Sequence, residues 1–170
     1  MELEFGPEYD EFRAEVRNFC NTLGKKTQHG SIRLGEYRPT QEMVEWQATL
    51  IEHGYAARTI PKEYGGFGAK PDIVKSLIIS EEFVRSGTRG GIQNQGISML
   101  VPTLLEVGTE EQKKKYIRAT IYGDIVWCQG YSEPGSGSDL ASLKTKGVVD
   151  GDNFVVNGQK VWTSSAQFSD

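Results

Sequence analysis

The chain has 170 residues, room for one ordinary domain and part of a second. With 37% hydrophobic and 25% charged residues it reads as globular, which excludes a disordered or fibrous protein. Its net charge is −4, from 19 basic and 23 acidic residues mixed along the chain, and leaves no footprint for nucleic acid.

The first residues, MELEFGPEYDEF, are acidic and lack an apolar core, unlike a secretory signal or an Arg-rich transit peptide. No apolar run approaches the ~20 residues that span a bilayer, so the expectation is a cytoplasmic protein with no membrane span. Cys20 and Cys128 lie far apart without metal-ligand spacing, which predicts two small buried thiols and no metal site.

Residues 8–26 carry Phe12, Val16, Phe19 and Leu23 on one stripe, the pattern of an amphipathic helix. A second helix is predicted from Thr40 to Glu52, with Met43, Trp46, Leu50 and Ile51 inward and Gly54 as its stop. A third is predicted from Pro71 to Arg85, ahead of Gly87. Residues 92–107 read as helical, with Pro102 kinking or dividing them. Thr109-Glu110-Glu111-Gln112 spells a capping box, opening a helix that runs through Ile121 and closes at Gly123.

Beyond Gly123 the period changes. Asp150-Gly151 and Asn157-Gly158 each stand between β-branched or aromatic residues and predict hairpin turns. The fold class expected is therefore α+β, with an all-α helical domain over 1–123 and the start of an antiparallel, barrel-like β domain over 124–170. Three or four strands with an open edge rarely make an independent core, so the chain reads as an N-terminal fragment.

The chemistry concentrates in WCQGYSEPGSGSDLASLKT, Trp127 to Thr145. Gly135-Ser136-Gly137-Ser138 lets successive amides turn toward one point, a concavity suited to phosphate or pyrophosphate. The same residues also make ordinary turns. No Walker A ending, dinucleotide fingerprint or hydrolase elbow is present. In a strand, Trp162 and Ser164 share a face about 7 Å apart, either as a wall for a flavin-like ring or as core filling.

YSEPGSGSD at 131–139 and GQKVWTSSA at 158–166 resemble the acyl-CoA dehydrogenase family. Ser132, Glu133, Pro134, Gly137, Ser138 and Asp139 fit its first pattern; Gly158, Lys160, Trp162 and Ser164 fit its second. IPKEYGGFG at 60–68 and PTLLEVGTEEQKKKYI at 102–117 resemble its N-terminal helical domain. The resemblance implies FAD as cofactor, contacted by Gln129, Tyr131 and Ser132, with Gly137 and Ser138 at the pyrophosphate and Trp162 and Ser164 beside the ring. Ser138 also matches a position that touches the acyl-CoA. Because Gln129 and Ser132 are three residues apart, Gln129 is expected to act through its backbone, or the strand to break near Gly130.

The implied reaction is α,β-dehydrogenation of an acyl-CoA thioester. The family's base is a Glu of a C-terminal helical domain that this chain lacks, so no catalytic residue is assigned and the chain alone is expected to be inactive. Glu133 is expected to support the loop. Implied partners are the acyl-CoA, an electron acceptor that is itself a flavoprotein, and further copies forming a homodimer or homotetramer at full length. Alternatives are a flavin-dependent oxidase or monooxygenase on the same fold, or a non-catalytic subunit. Gln93-Asn94-Gln95-Gly96 matches a region bordering the family's acyl-tail cavity, surface placement being the alternative. His29 and His53 are expected to be solvated or capping, and Lys113, Lys114 and Lys115 to form a solvated helix face.

Overall fold

A computed structural model of the protein describes residues 6–24 and 38–170. His29 falls outside them. The first helix, α1 (Pro7–Thr22), starts on proline, with Glu8 and Asp10 complementing the positive end of its dipole. It buries Phe12, Val16, Phe19 and Cys20. Leu23, expected on that stripe, is instead 52% exposed, because the helix ends at Thr22 and Cys20 completes the apolar face.

Helix α2 (Gln41–Glu52) is capped by Thr40, whose hydroxyl accepts from the Met43 amide. Met43, Trp46, Leu50 and Ile51 face inward as expected, and His53 caps the far end with its ring against Phe19. Helix α3 (Ile73–Ser86) begins after the Pro71 that sequence reasoning favoured. Asp72 is the true cap, accepting from the Lys75 amide at 3.0 Å.

The stretch predicted as a helix over 92–107 is divided. Gly96–Leu100 forms a wide π turn that runs into α4 (Val101–Val107), with Pro102 in its first turn. Proline offers no amide to the carbonyls behind it, which favours such a widened turn. Helix α5 (Glu110–Tyr122) has the predicted capping box, Thr109 and Gln112 exchanging bonds of 2.9 and 3.2 Å, and ends at Gly123.

Helix α2 joins two apolar clusters. Trp46 and Leu50 pack with Phe12, Phe19, Ile78 and Phe83 on one side; Ile51 packs with Val101, Leu104, Ile117 and Ile121 on the other. Between them Gln47 is 2% exposed. Its amide nitrogen donates to the Ile121 carbonyl at 2.7 Å and its oxygen accepts from the Ile92 amide at 2.8 Å. One side chain thus ties α2 to α5 and to the approach of the π turn.

After Gly123 comes a single hairpin, β1 (Lys146–Asp150) and β2 (Asn153–Asn157), antiparallel with Lys146 opposite Asn157. Gly151 has φ 59° while Asp152 stays at negative φ, the pattern of a type II′ turn. The second predicted hairpin is not formed. Neither Asn157 nor Gly158 has positive φ, and a Cβ at Gly158 would strike the Thr145 side chain. The described residues therefore hold two strands, not three or four. Val148, Val149, Phe154, Val155 and Val156 are all exposed. The architecture is a helical domain followed by a small antiparallel sheet. Among the described residues no helix is long and apolar enough to cross a membrane.

Candidate functional site

Residues 126–132 form no ladder but run antiparallel to the chain's last residues. The Ser132 carbonyl accepts from the Val161 amide at 2.9 Å, and the Val126 carbonyl accepts from the Asp170 amide at 3.0 Å. Trp127 anchors this segment to α5: its indole N–H donates to the Thr120 hydroxyl at 2.9 Å and its ring meets Tyr116 edge-on. A Cβ at Gly130 would approach the Lys160 side chain, so the close neighbour there is Lys160.

Glu133 holds the loop together. It is 8% exposed. Its carboxylate accepts from the Lys144 amide at 2.7 Å, the Thr145 amide at 2.9 Å and the Lys160 ammonium at 3.0 Å. The Thr145 side chain, those two amides and Lys160 lower its pKa to about 2. A carboxylate so stabilised is a poor proton acceptor at neutral pH. Between its two ends, Glu133 and Ser136 pair through both backbone bonds, leaving Gly135, Gly137 and Ser138 exposed at the tip.

A cavity of about 520 Å³ opens between the π turn and the last residues. Gln93, Asn94, Gln95, Ile97 and Ser98 line one side, Ser164 and Ser165 the other. Asn94 caps the turn, its side-chain oxygen accepting from the Ile97 amide at 2.9 Å. Ser165 sits at φ 68°, which bends the chain beside the cavity. The oxygen of the Gln95 amide is buried without a hydrogen-bond partner among the described residues.

The family model "Acyl-CoA dehydrogenase, N-terminal domain" matches residues 6–124, and "Acyl-CoA dehydrogenase, middle domain" matches 128–170. The chain belongs to the acyl-CoA dehydrogenase family. Its relatives include acyl-CoA dehydrogenases FadE26 and IpdE1 of Mycobacterium tuberculosis, each 37% identical, over 100% and 94% of this chain. Each is matched over 42% of its own length, so the chain spans less than half of these relatives. Among solved structures, the Tcur3481-Tcur3483 steroid ACAD aligns with TM-score 0.67 at 38% identity, over 100% of this chain and 43% of that one. The ChsE4-ChsE5 complex from Mycobacterium tuberculosis aligns with TM-score 0.68 at 35% identity, over 100% and 42%.

Within this chain the expected site residues are dispersed in exposure. Gln129 and Ser132 are half-buried, Tyr131 is 60% exposed, and Gly137 and Ser138 lie open at the loop tip. Trp162 is 86% exposed at φ 56° and lies outside both strands, so the strand parity expected for Trp162 and Ser164 does not hold. Ser164 lines the cavity instead. Cys20 is buried as expected, but Cys128 is exposed, since its neighbours Val126 and Trp127 take the inward positions. Ile97, Ser98 and Ser165 were not anticipated. Ser165 only adjoins the Ser164 of the second motif, and nothing in the pattern marked the π turn.

Proposed function

We propose that this chain supplies the FAD-facing loop and one wall of the acyl cavity in an enzyme that dehydrogenates an acyl-CoA thioester between its α and β carbons. The helical part, 1–123, is its N-terminal domain, and 124–170 opens its β domain. The observation that carries this reading is the Glu133 clamp. It fixes the S-E-P-x-x-G-S-D loop against Lys160, so that the two family motifs become one surface.

That surface fits FAD. A Cβ at Gly135 or Gly137 would meet nothing within 4 Å, which leaves the loop backbone open to an anion. The Trp162 ring is uncovered and suits a flat aromatic partner. Gly137 and Ser138 would hold the pyrophosphate, with Ser138 also reaching the acyl-CoA. Gln129, Tyr131, Ser132, Trp162 and Ser164 would border the ring. When bound, the flavin supplies the acceptor for the β hydrogen as hydride. The Ser132 hydroxyl would donate to the ring's polar edge, while Ile97, Gln95 and Ser164, which line the cavity, would hold the acyl group away from water. Glu133 is not the base: its charge is already satisfied.

Two further assignments belong to this reading. The enzyme works as an oligomer, in keeping with the two-chain complexes among its structural relatives. Its electrons pass to a separate flavoprotein. The test is anaerobic mixing of the complete flavoenzyme with acyl-CoA thioesters. Bleaching of the oxidised flavin with formation of the 2-enoyl thioester is expected. An enzyme that carries FAD yet is reduced by none of them is not an acyl-CoA dehydrogenase. Rapid reoxidation of the reduced enzyme by oxygen would favour the oxidase alternative.

A further inference from the structure

We propose that Trp127 is a positioning residue: it fixes the spacing between the cavity wall at the π turn and the flavin-facing segment, and so sets the rate at which bound acyl-CoA reduces the flavin. The inference rests on the dehydrogenase reading. In that reaction the β C–H bond breaks and its hydride passes to the flavin, the α proton goes to the enzyme's base, and the 2-enoyl thioester remains.

Trp127 does not line the cavity. It stands where three pieces of the site meet. It belongs to the segment 126–132, which also holds Gln129, Tyr131 and Ser132. Its indole N–H donates to the Thr120 hydroxyl of α5 at 2.9 Å, and its ring meets Tyr116 edge-on at 5.5 Å. The third neighbour is the π turn. A Cβ at Gly96 would lie 2.5 Å from Trp127 Cδ1 and 2.8 Å from Thr120 Cγ2, so the turn's backbone rests on both side chains. Gly96 is not at positive φ, and glycine is required there for close approach alone.

The support is pinned on every side. Thr120 is fully buried, and its hydroxyl accepts from the indole while donating to the Tyr116 carbonyl at 2.7 Å. A hydroxyl has one proton to give, so both of its roles are filled. The ends of the segment are held separately. The Val126 amide donates to the Asp170 carboxylate at 3.0 Å, that carboxylate pairs with Arg38, and the Ser132 carbonyl takes the Val161 amide at 2.9 Å. Trp127 supplies the contact with the π turn.

The wall formed by Gln93, Asn94, Gln95, Ile97 and Ser98 therefore shares one support with the flavin-facing segment. Residues locked in this way by packing and a hydrogen bond hold a site to its working geometry. Transfer between two bound partners falls steeply with their separation, a misplacement of ~1 Å costing up to about 100-fold. Releasing the indole should thus slow the reaction while every residue that touches either ligand stays in place.

The experiment uses the complete flavoenzyme, mixed anaerobically with whichever saturated acyl-CoA of a chain-length series reduces wild type fastest. Four quantities are read: the limiting rate of reduction per bound flavin, the Kd of the matching 2-enoyl thioester, the change this ligand makes in the visible flavin spectrum, and the melting temperature. Trp127→Phe keeps a ring without the N–H; Thr120→Val keeps the volume without the hydroxyl. Each is expected to lower the limiting rate by about tenfold or more and to weaken the spectral change, with the Kd nearly unaltered. Thr120→Ser keeps the hydroxyl and should retain most of the rate. The double variant Trp127→Phe/Thr120→Val removes donor and acceptor together and orphans neither, so its melting temperature should recover relative to Thr120→Val while its rate stays low. A rate that recovers along with the melting temperature would show a merely structural role and overturn the proposal. So would wild-type rates in both single variants, with the dehydrogenase reading left standing. If no thioester reduces wild type, that reading fails and this inference with it.

Discussion

The Lys160 ammonium lies 3.0 Å from Glu133 Oε1 and 3.0 Å from the Tyr131 carbonyl, so one side chain of the second family motif grips the first at two points. Lys160→Met keeps much of the side chain's bulk and removes both bonds. The expected result is a Glu133 pKa above its present value of about 2, read by carboxyl NMR titration, because one of the groups favouring the charged form is gone. Faster proteolysis within 133–145 should accompany it. An unchanged titration would show that Lys160 does not hold the loop in solution.

Gln47 offers a sharper stability test. Both ends of its amide are committed to backbone groups, the Ile121 carbonyl and the Ile92 amide. Gln47→Leu preserves volume but orphans both partners in the interior. The expected loss is about 3 kcal/mol, from two buried groups at roughly 1–3 kcal/mol each. Urea unfolding measures it. A loss below about 1 kcal/mol would mean that α2, α5 and the approach to the π turn are joined by apolar packing alone.

Where local rules decide, the sequence could be read. Thr109 and Gln112 meet because a capping box needs only three residues of separation. Phe12, Val16 and Phe19 form a stripe because 3.6-residue periodicity places them there. The stripe's last member was misread because Leu23 is the better hydrophobe, yet Cys20 lies within the helix and Leu23 beyond it. The site was less legible. Glu133 was expected to support its loop, but its partners at Lys144, Thr145 and Lys160 come from tertiary folding, not spacing. Asn157-Gly158 carried a hairpin signal that Val161 overrode by pairing singly with Ser132. The left-handed backbone at Trp162 has no sequence signature at all.

That backbone makes a prediction of its own. A non-glycine residue in the left-handed region costs about 1–2 kcal/mol, and Trp162 recovers little of it by packing, being 86% exposed. Trp162→Gly relieves the strain but adds freedom to the unfolded chain, so the two effects nearly offset each other. Stability should change by less than about 1 kcal/mol. FAD affinity of the complete enzyme should fall by about tenfold or more, since a stacking partner is removed. Trp162→Phe should restore part of it. Strong destabilisation by the glycine variant would mean that the ring packs against the protein.

Glu82 links α1 to α3 and sets an acid limit on the helical domain. It is 1% exposed and faces Arg17 at 2.8 Å, Arg85 at 2.6 Å and Arg13 at 3.3 Å, while Arg13 also meets Glu81 at 2.7 Å. Arg17 first, then Arg85 and Arg13, lower its pKa to about 2 against the opposing effect of burial. A depressed carboxylate pKa means that the unfolded chain binds the proton more readily. The stabilisation is therefore complete above the unfolded value near ~4.3 and is lost as pH falls toward 2. Glu82→Gln keeps the shape but removes the charge. It should cost about 2 kcal/mol at neutral pH, moderated because the guanidiniums are partly hydrated. The cost should shrink steadily between pH 4.5 and pH 2, where the wild-type carboxylate also becomes neutral. Thermal unfolding of both proteins across that range measures the difference. Parallel curves over the whole window would mean that Glu82 holds the helices by shape and not by charge.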